Sequence, residues 1–254
     1  TMKTAVITGA SSGLGVELLR AAVELCPDID TFWLIARRRE RLEALAAQFP
    51  GKTLRPVPLD LTDPSAVRTL ERLLEKEKPA LSLLINNAGF GRLCDFPESE
   101  PGDQTGMIDL NCRALTAVTR CCLPYMTAGS LILNISSIAS FAPTPRMTVY
   151  CSTKAYVQSF SRALREELRP RGINVLAACP GPMDTEFLPV AGCEHGKSRT
   201  FDALPHQNPA KMARKALSAG LRGRSVCTMG AFYKFYRFLA HVLPKSVLMK
   251  FTRC

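Results

Sequence analysis

A short apolar run followed by a glycine-rich turn opens the chain: residues 3–8 read KTAVIT and residues 9–15 read GASSGLG. The three glycines of this turn allow the backbone to bend sharply and to approach a pyrophosphate, which then lies at the positive end of the following helix. A turn of this kind also occurs in ordinary strand–helix connections. Here a strand precedes it and a helix follows, which is the context of a dinucleotide site. The residues expected to bind the cofactor here are Gly9, Ser11, Ser12, Gly13, Leu14 and Gly15.

The same alternation of strand and helix continues along the chain, and most of the strand-like runs are nearly continuously apolar, as in buried parallel sheets. We predict strands at 3–8, 31–36, 53–58, 81–86, 130–136 and 173–178, with a weaker one near 225–229. Helical periodicity covers 13–25, 39–49, 64–76, 103–125, 150–169 and 208–219. This pattern predicts an α/β fold, a Rossmann-type doubly wound parallel sheet of about seven strands with helices on both faces.

Composition favours one folded unit. The chain has 254 residues, of which 46% are hydrophobic and 22% charged, enough apolar material for one sizeable core. Because no linker or internal repeat divides it, we expect a single domain over residues 2–254. The ten cysteines are scattered without C-x-x-C pairs, which predicts free thiols, a cytoplasmic location and no metal site.

The positive charge is concentrated at one end of the chain. The net charge is +11, and residues 203–254 hold ten Lys/Arg and no Asp or Glu, whereas the rest holds 23 basic and 22 acidic residues. The basicity therefore belongs to the tail rather than to the fold, and it does not indicate a nucleic-acid-binding domain.

The end of the second predicted strand bears on the cofactor. An NAD site usually has an acidic residue about 20 positions after the glycines, where it binds the ribose 2′-hydroxyl. Ala36 takes that place here, and Arg37 follows it. A guanidinium suits a 2′-phosphate, so we predict NADP(H), with Arg37 at the phosphate. Alternatively these arginines only begin a solvated helix, which is our interpretation of Arg39 and Arg41.

Acid–base chemistry is indicated further along the chain. Tyr150 and Lys154 are four residues apart and share a helix face. An ammonium beside a phenol favours the phenolate and lowers the tyrosine pKa, and such a tyrosine can exchange a proton with a carbonyl or alcohol oxygen. Ser137, at the end of the fifth strand, can orient that oxygen. A lone Y-x-x-x-K is common, so the prediction depends on the serine and the glycine turn upstream.

Taken together, these motifs resemble those of the short-chain dehydrogenase/reductase family, in order and spacing, over roughly residues 3–230. The resemblance implies that Tyr150 is the catalytic acid/base, Lys154 its partner, Ser137 the substrate-stabilising residue and Asn111 the support of a proton-relay water. One departure is Ser12, where NADP enzymes of the family often carry a basic residue. The matching segments are Thr8–Gly15, Asp60-Leu61, Asn86–Gly89, Asn111, Asn134–Ser137, Tyr150–Lys154 and Pro180–Thr185.

The resemblance also implies further cofactor contacts. One pair of residues would flank the adenine, a second group would line the cofactor together with Tyr150 and Lys154, and a third would hold the nicotinamide carboxamide. In that order they are Asp60 and Leu61; Asn87, Ala88 and Gly89; and Pro180, Gly181 and Thr185. Met183, in the same segment, is also expected to bind the cofactor.

Two segments, Ala139–Thr148 and Phe187–Pro205, are expected to build the substrate pocket. Phe141, Pro143, Pro145 and Met147 make the first segment apolar, which favours a ketosteroid/hydroxysteroid or 3-oxoacyl substrate. The basic tail would also attract an acidic acyl carrier or a coenzyme A thioester. The alternative function is a non-catalytic NADP-binding regulator or scaffold.

The tail, about 230–252, contains an amphipathic helix with one predicted apolar face. We expect peripheral contact with an anionic membrane, or equally a roof over the pocket or a contact with another subunit of a homodimer or homotetramer. The histidines at 195, 206 and 241 are not expected to be catalytic. The predicted apolar face consists of Phe232, Phe235, Tyr236, Leu239, Val242 and Leu243.

Overall fold

A seven-stranded, fully parallel sheet forms the centre of the molecule. A computed structural model describes residues 2–193 and 202–252, and its sheet has the order β3-β2-β1-β4-β5-β6-β7. The predicted fold class is therefore confirmed. The strands are β1 Lys3–Thr8, β2 Ile29–Ala36, β3 Thr53–Pro58, β4 Ala80–Asn86, β5 Met126–Ile135, β6 Asn174–Ala178 and β7 Val226–Cys227.

Helices connect the strands. The helix α3 begins as its sequence predicts, because Pro64 occupies its first turn and the Asp63 carboxylate caps the Ser65 N–H at 2.7 Å. The helices are α1 Gly13–Leu25, α2 Arg39–Ala46, α3 Pro64–Glu77, α4 Pro101–Ile108, α5 Leu115–Cys122, α6 Thr148–Leu168, α7 Phe187–Ala191, α8 Pro209–Leu221, α9 Ala231–Val242 and α10 Lys245–Phe251. Short 3₁₀ turns occupy Phe96–Glu98, Leu123–Tyr125, Ile138–Ser140 and Arg169–Arg171.

Both faces of the sheet are covered by apolar packing. On one face, Leu18 of α1 and Leu217 of α8 belong to a buried cluster with strand residues. On the other face, Leu70 of α3, Val118 of α5 and Leu168 of α6 do the same. The strands are therefore buried from both sides, which explains why they read as continuous apolar runs.

Two predicted elements differ from the structure. The single helix expected over 103–125 starts at Pro101 and contains a π-helix at Asp109–Ala114. Apolar periodicity cannot reveal this change, because it depends on contacts made by Asn111 inside the protein. Strand β5 starts at Met126 rather than at residue 130. Its register beside β4 is irregular, and Gly129 with a φ of 87° permits that irregularity.

The position of the site follows from the strand order. Strand β1 lies between β2 and β4; the chain proceeds outward from β1 to β3 and then crosses to β4 on the other side of β1. Ligands of such sheets bind beyond the carboxyl ends of the strands at this point. Within residues 2–193 and 202–252, no helix combines the length and the apolar character needed to cross a bilayer.

Candidate active site

The glycine-rich turn after β1 is packed tightly against neighbouring backbone. Gly9 has a φ of 64°, and a Cβ there would lie 2.8 Å from the Cα of Ala88. A Cβ on Gly15 would lie 2.0 Å from the carbonyl oxygen of Gly9. Only glycine fits at these two positions, and the turn leads directly into α1, whose first N–H groups favour an anion.

The asparagine after β4 braces this turn. Asn87 Nδ2 donates to the carbonyl oxygens of Thr8 and Gly9 at 3.2 and 3.0 Å. The backbone N–H groups of Asn87 and Ala88 donate to the hydroxyl of Thr8, each at 3.0 Å. The side chain of Asn87, which is predicted to line the cofactor, thus also holds the glycine-rich turn in place.

Two arginines follow β2 at the edge of the same turn. Arg37 is exposed and lines the cavity, as does Arg38. Arg38 Nη2 donates to the hydroxyls of Ser11 and Ser12 at 3.2 and 2.9 Å, and its Nη1 donates to Glu186 at 3.0 Å. Sequence reasoning missed Arg38, although the run of consecutive arginines contained the signal. Many NADP enzymes of the family carry a basic residue at the position of Ser12. Here the guanidinium of Arg38 brings a positive charge to that position.

Tyr150 and Lys154 lie together on the first turns of α6, buried beneath the cavity. Lys154 Nζ lies 5.7 Å from the centroid of the Tyr150 ring and donates to the carbonyl oxygen of Ile135 at 3.0 Å. Ser137 lies two residues after the end of β5, lines the same cavity and accepts a hydrogen bond from the Ala139 N–H at 3.1 Å. The three predicted catalytic side chains thus meet at one place.

Burial controls the ionisation of this pair. It raises the pKa of the Tyr150 phenol, and the hydrogen bond with Ser137 offsets only part of that rise. It also lowers the pKa of Lys154 to about 8. The expectation that Lys154 lowers the Tyr150 pKa is therefore not met here, because desolvation of the phenolate is the larger effect. Tyr150 keeps its proton at neutral pH.

Asn111 lies in the π-helix and is 1% exposed. Its Nδ2 donates to the carbonyl oxygen of Phe90 at 2.9 Å and to the Thr153 hydroxyl at 3.0 Å, while its Oδ1 accepts from the Phe90 N–H at 3.1 Å. These bonds join the loop after β4 to α6. A Cβ on Gly89 would lie 2.8 Å from Asn111 Oδ1 and 3.3 Å from Lys154 Nζ, which explains the glycine there.

A cavity of about 980 Å³ connects these features. Every residue predicted at the site lines it except Gly15 and Asn111, which lie behind the wall. The predicted substrate segments contribute only in part: Met147 lines the cavity, whereas Phe141 is packed in a separate buried cluster. Neither Pro143 nor Pro145 lines it. Residues 194–201 of the second segment, His195 among them, lie outside the described residues.

Sequence comparison identifies the family. The profile of the short chain dehydrogenase family matches residues 3–192. The chain belongs to this family.

Relatives of this short-chain dehydrogenase agree with its fold and its reaction type. It is 33% identical over 192 residues to a serine 3-dehydrogenase of Agrobacterium fabrum, covering 74% of each chain. It is 32% identical over 188 residues to an uncharacterized oxidoreductase of Staphylococcus aureus, covering 73% of this chain and 80% of that one. A short-chain dehydrogenase from Sphingobium yanoikuyae, solved in complex with NADPH, superposes with a TM-score of 0.80 at 28% identity, over 98% and 96% of the two chains. The protein is an oxidoreductase of this family.

The part of the dehydrogenase beyond the matched profile closes the site from above. A Cβ on Gly181 would lie 2.6 Å from the ring of Tyr233, so α9 packs directly on the Pro180-Gly181 turn. Gln207 Oε1 accepts from the Gly181 N–H at 3.0 Å, and its Nε2 donates to the carbonyl oxygen of Met229 at 2.7 Å. Sequence reasoning missed Gln207 and Tyr233, since no local pattern marks a contact across 26 or more residues.

Helix α9 departs from the single apolar face predicted for it. Tyr236, Leu239 and Leu243 line the cavity, so the roof over the pocket is present. Phe235 and Val242 are instead 60% exposed and point away from it. The helix carries two apolar faces, because its aromatic residues are spread over more of the circumference than one contact can bury.

The remaining polar groups of this dehydrogenase include free thiols and one close contact between His206 and Asp184. Among the described residues, no three His, Cys, Asp or Glu side chains cluster as metal ligands would. The nine described cysteines are free thiols. His206 Nδ1 is 2.6 Å from the Asp184 carboxylate, which is a contact within the substrate-side loop.

Proposed function

We propose that the protein is an NADP(H)-dependent oxidoreductase that interconverts a carbonyl and an alcohol on an apolar substrate of the ketosteroid/hydroxysteroid or 3-oxoacyl type. The observation that carries this proposal is the position of Tyr150, Lys154 and Ser137 in one cavity with the glycine-rich turn. A site for the hydride-carrying cofactor and a proton-exchanging side chain thus share one space.

The cofactor choice is supported by charge. Ala36 occupies the position where an acid would bind a ribose 2′-hydroxyl, and Arg37 and Arg38 line the cavity beside it. The backbone conformation that Gly9 and Gly15 permit leads the turn directly into α1, and a glycine-rich turn of this kind suits a pyrophosphate. The relative solved with NADPH has the same fold over 98% of this chain. Together these features favour NADP(H) over NAD(H).

NADP(H), when bound, supplies or accepts the hydride. Tyr150 then donates its proton to the carbonyl oxygen in reduction, or accepts the alcohol proton in oxidation. The raised pKa of Tyr150 keeps the phenol protonated at neutral pH, which suits reduction. Ser137 donates a hydrogen bond that orients the substrate oxygen. The ammonium of Lys154 places positive charge beneath Tyr150 and Ser137. Asn111 acts as a positioning residue that joins α6 to the loop after β4. A proton-relay water beside Asn111 is also part of the proposal.

The wall of the cavity supports an apolar substrate. Beyond Tyr150 it is formed by aromatic and aliphatic side chains from four parts of the chain, with Arg92 and Asp103 as charged groups on one side. This lining contrasts with the small polar substrate in the name of the serine 3-dehydrogenase relative. The apolar lining consists of Phe90, Ala139, Met147, Phe187, Leu188, Val190, Leu204, Phe232, Tyr236, Leu239, Leu243 and Leu248.

The alternative is a cofactor-binding regulator or scaffold without turnover. It would need the glycine turn but not the buried acid–base pair, whose desolvation opposes folding. Burial of Lys154 (5% exposed) and Tyr150 (7% exposed) lowers the stability of the folded protein. Buried ionisable groups of this kind occur mainly at functional sites. This cost favours the enzyme.

The proposal also includes one domain over residues 2–254, a cytoplasmic location and a homodimer or homotetramer. Free thiols at all nine described cysteines support a reducing compartment. Light scattering on the purified protein measures the oligomeric state directly.

A reductase screen tests the function. NADPH oxidation is followed with panels of ketosteroids, 3-oxoacyl thioesters and small polar aldehydes, with NADH in parallel. Turnover of a bulky apolar ketone with NADPH supports the proposal. Turnover confined to small polar substrates contradicts the substrate class, and tight NADPH binding with no turnover on any panel favours the regulator.

A further inference from the structure

The outward face of α9 is an exposed apolar stripe. Phe232 is 51% exposed, and Phe235, Phe238 and Val242 are each 60% exposed. At 3.6 residues per turn, these four positions fall within roughly 120° of the helix circumference. A contiguous stripe of this kind marks an interaction surface, whereas a single exposed apolar residue does not.

This stripe is not needed to anchor the helix. Tyr233 is 1% exposed and Ala240 3% exposed, and they face the protein. Tyr236 and Leu243 line the cavity beneath. The helix is thus already held through its inner face, and the outer phenylalanines make no contribution to the cavity apart from Phe232.

Positive charge borders the stripe. Lys234 and Arg237 follow it around the helix, and Lys234 is exposed. The whole segment 203–254 has ten basic and no acidic residues. An apolar face beside a basic one is the arrangement of helices that lie in the headgroup region of anionic bilayers.

A second copy of the chain fits this surface poorly. Two stripes packed face to face would bring Lys234 and Arg237 of each copy close to the same residues of the other. The segment contains no carboxylate to neutralise them, and opposed like charges disfavour association. The charge of the surface therefore favours an anionic lipid layer.

The stripe also adjoins the mouth of the cavity. Phe232 is half-exposed and lines the cavity, and Val190, which is 46% exposed, lines it from α7. A bilayer in contact with the stripe would therefore lie beside the opening.

We propose that the outer face of α9 docks on an anionic membrane surface and that this places the cavity mouth against the lipid, where apolar substrates concentrate. The docking rests on the stripe and its charge alone. The delivery of substrate from the lipid rests also on the proposed function.

Vesicle flotation of the full chain tests the docking. We expect binding to vesicles of phosphatidylglycerol and phosphatidylcholine, weak binding to phosphatidylcholine alone, and release as salt rises because screening shortens the reach of the charges. Replacing Phe235, Phe238 and Val242 by serine should lower the partition coefficient at least about tenfold, since three apolar side chains no longer leave water. Phe96→Ser, at a residue 56% exposed outside this helix, is the matched control and should bind normally.

A fluorescent reporter gives the position of the helix. The only tryptophan is Trp33, which is 2% exposed, so Phe235→Trp adds an accessible indole. Its emission should shift to the blue on anionic vesicles and be quenched by brominated lipid. Emission unchanged by vesicles would overturn the proposed orientation.

Two further outcomes overturn the docking. One is equal vesicle binding by the triple serine variant and the wild type. The other is binding to soluble polyglutamate as tight as to the vesicles, which would indicate an acidic protein partner. Neither assay uses a substrate, so an inactive reductase screen leaves this result intact and the two proposals fail separately.

Discussion

The Arg38 guanidinium lies between the glycine-rich turn and the Glu186 carboxylate, which it contacts at 3.0 Å. Arg41 contacts the other oxygen of Glu186 at 2.5 Å. Hydrogen bonds from Arg41 and Arg38 hold the pKa of Glu186 below its usual range, so it is an anion at neutral pH. Glu186 directly follows Thr185, and its neighbour Phe187 packs on the Tyr150 ring at 5.7 Å. Glu186, an anion of the substrate-side loop, is thus bound to an arginine that lines the cavity beside the glycine-rich turn.

The two arginines after β2 should determine cofactor preference. Arg37→Ala and Arg38→Ala should each weaken NADPH binding by roughly 10- to 150-fold, because each removes a charge-assisted contact with the phosphate. NADH binding should change little. Fluorescence titration with both cofactors measures this, with Arg39→Ala, which is paired with Glu43 on α2, as the control. Equal losses for the two cofactors would contradict the assignment.

Glu186→Gln should strengthen NADPH binding by about two- to fivefold, the range of an exposed ion pair. The carboxylate no longer competes with the 2′-phosphate for Arg38, while NADH, which lacks that phosphate, should bind as before. The same titration measures both. Weaker binding of both cofactors would show instead that the pair holds the loop closed over the bound cofactor.

Tyr150→Phe should lower kcat by about 10²- to 10⁴-fold, because it removes the proposed proton donor and keeps the ring. NADPH affinity should be almost unchanged. Stopped-flow turnover and equilibrium titration separate the two quantities. Near-normal turnover on the best substrate would reject the mechanism.

The buried Lys154 should make stability depend on pH in a defined window. Its pKa is lowered to about 8 in the folded protein, against about 10.4 in an unfolded chain. Between these values the unfolded state binds more protons, so the free energy of unfolding should rise with pH. The expected gain is on the order of 3 kcal/mol.

Urea unfolding of the wild type and of Lys154→Met from pH 7 to 10 measures this difference. Only in the wild type should the free energy of unfolding rise further with pH because of Lys154. Parallel curves would mean that Lys154 is neutral throughout or ionises as it does in water.

The contact between Gly181 and Tyr233 should be required for the roof of the site. Gly181→Ala places a Cβ 2.6 Å from the ring and should destabilise the protein by about 1–3 kcal/mol through overpacking, with weaker cofactor binding. At Gly102, in α4, an added Cβ meets no group of another part of the chain within 4 Å, so Gly102→Ala should not destabilise the protein and should leave cofactor binding unchanged. Thermal unfolding and NADPH titration compare the two variants, and equal behaviour would contradict the contact.

The sequence by itself determined the sheet, the phosphate turn and the pairing of Tyr150 with Lys154. These features depend on short-range physics: apolar runs predict strands, Gly9 and Gly15 permit a turn that other residues cannot form, and a spacing of four places two side chains on one helix face.

Tertiary structure alone decided the rest. Arg38 meets Glu186 from 148 positions away. Gln207, in the loop before α8, and Tyr233 of α9 both reach Gly181, although they are 26 and 52 positions from it in the sequence. Which residues of α9 are buried and which are exposed depends on the neighbours that each side chain contacts. The same holds for the contacts of Asn111 in the π-helix. The pKa values of Tyr150 and Lys154 depend on burial, and burial is a property of the whole packed molecule that no local pattern encodes.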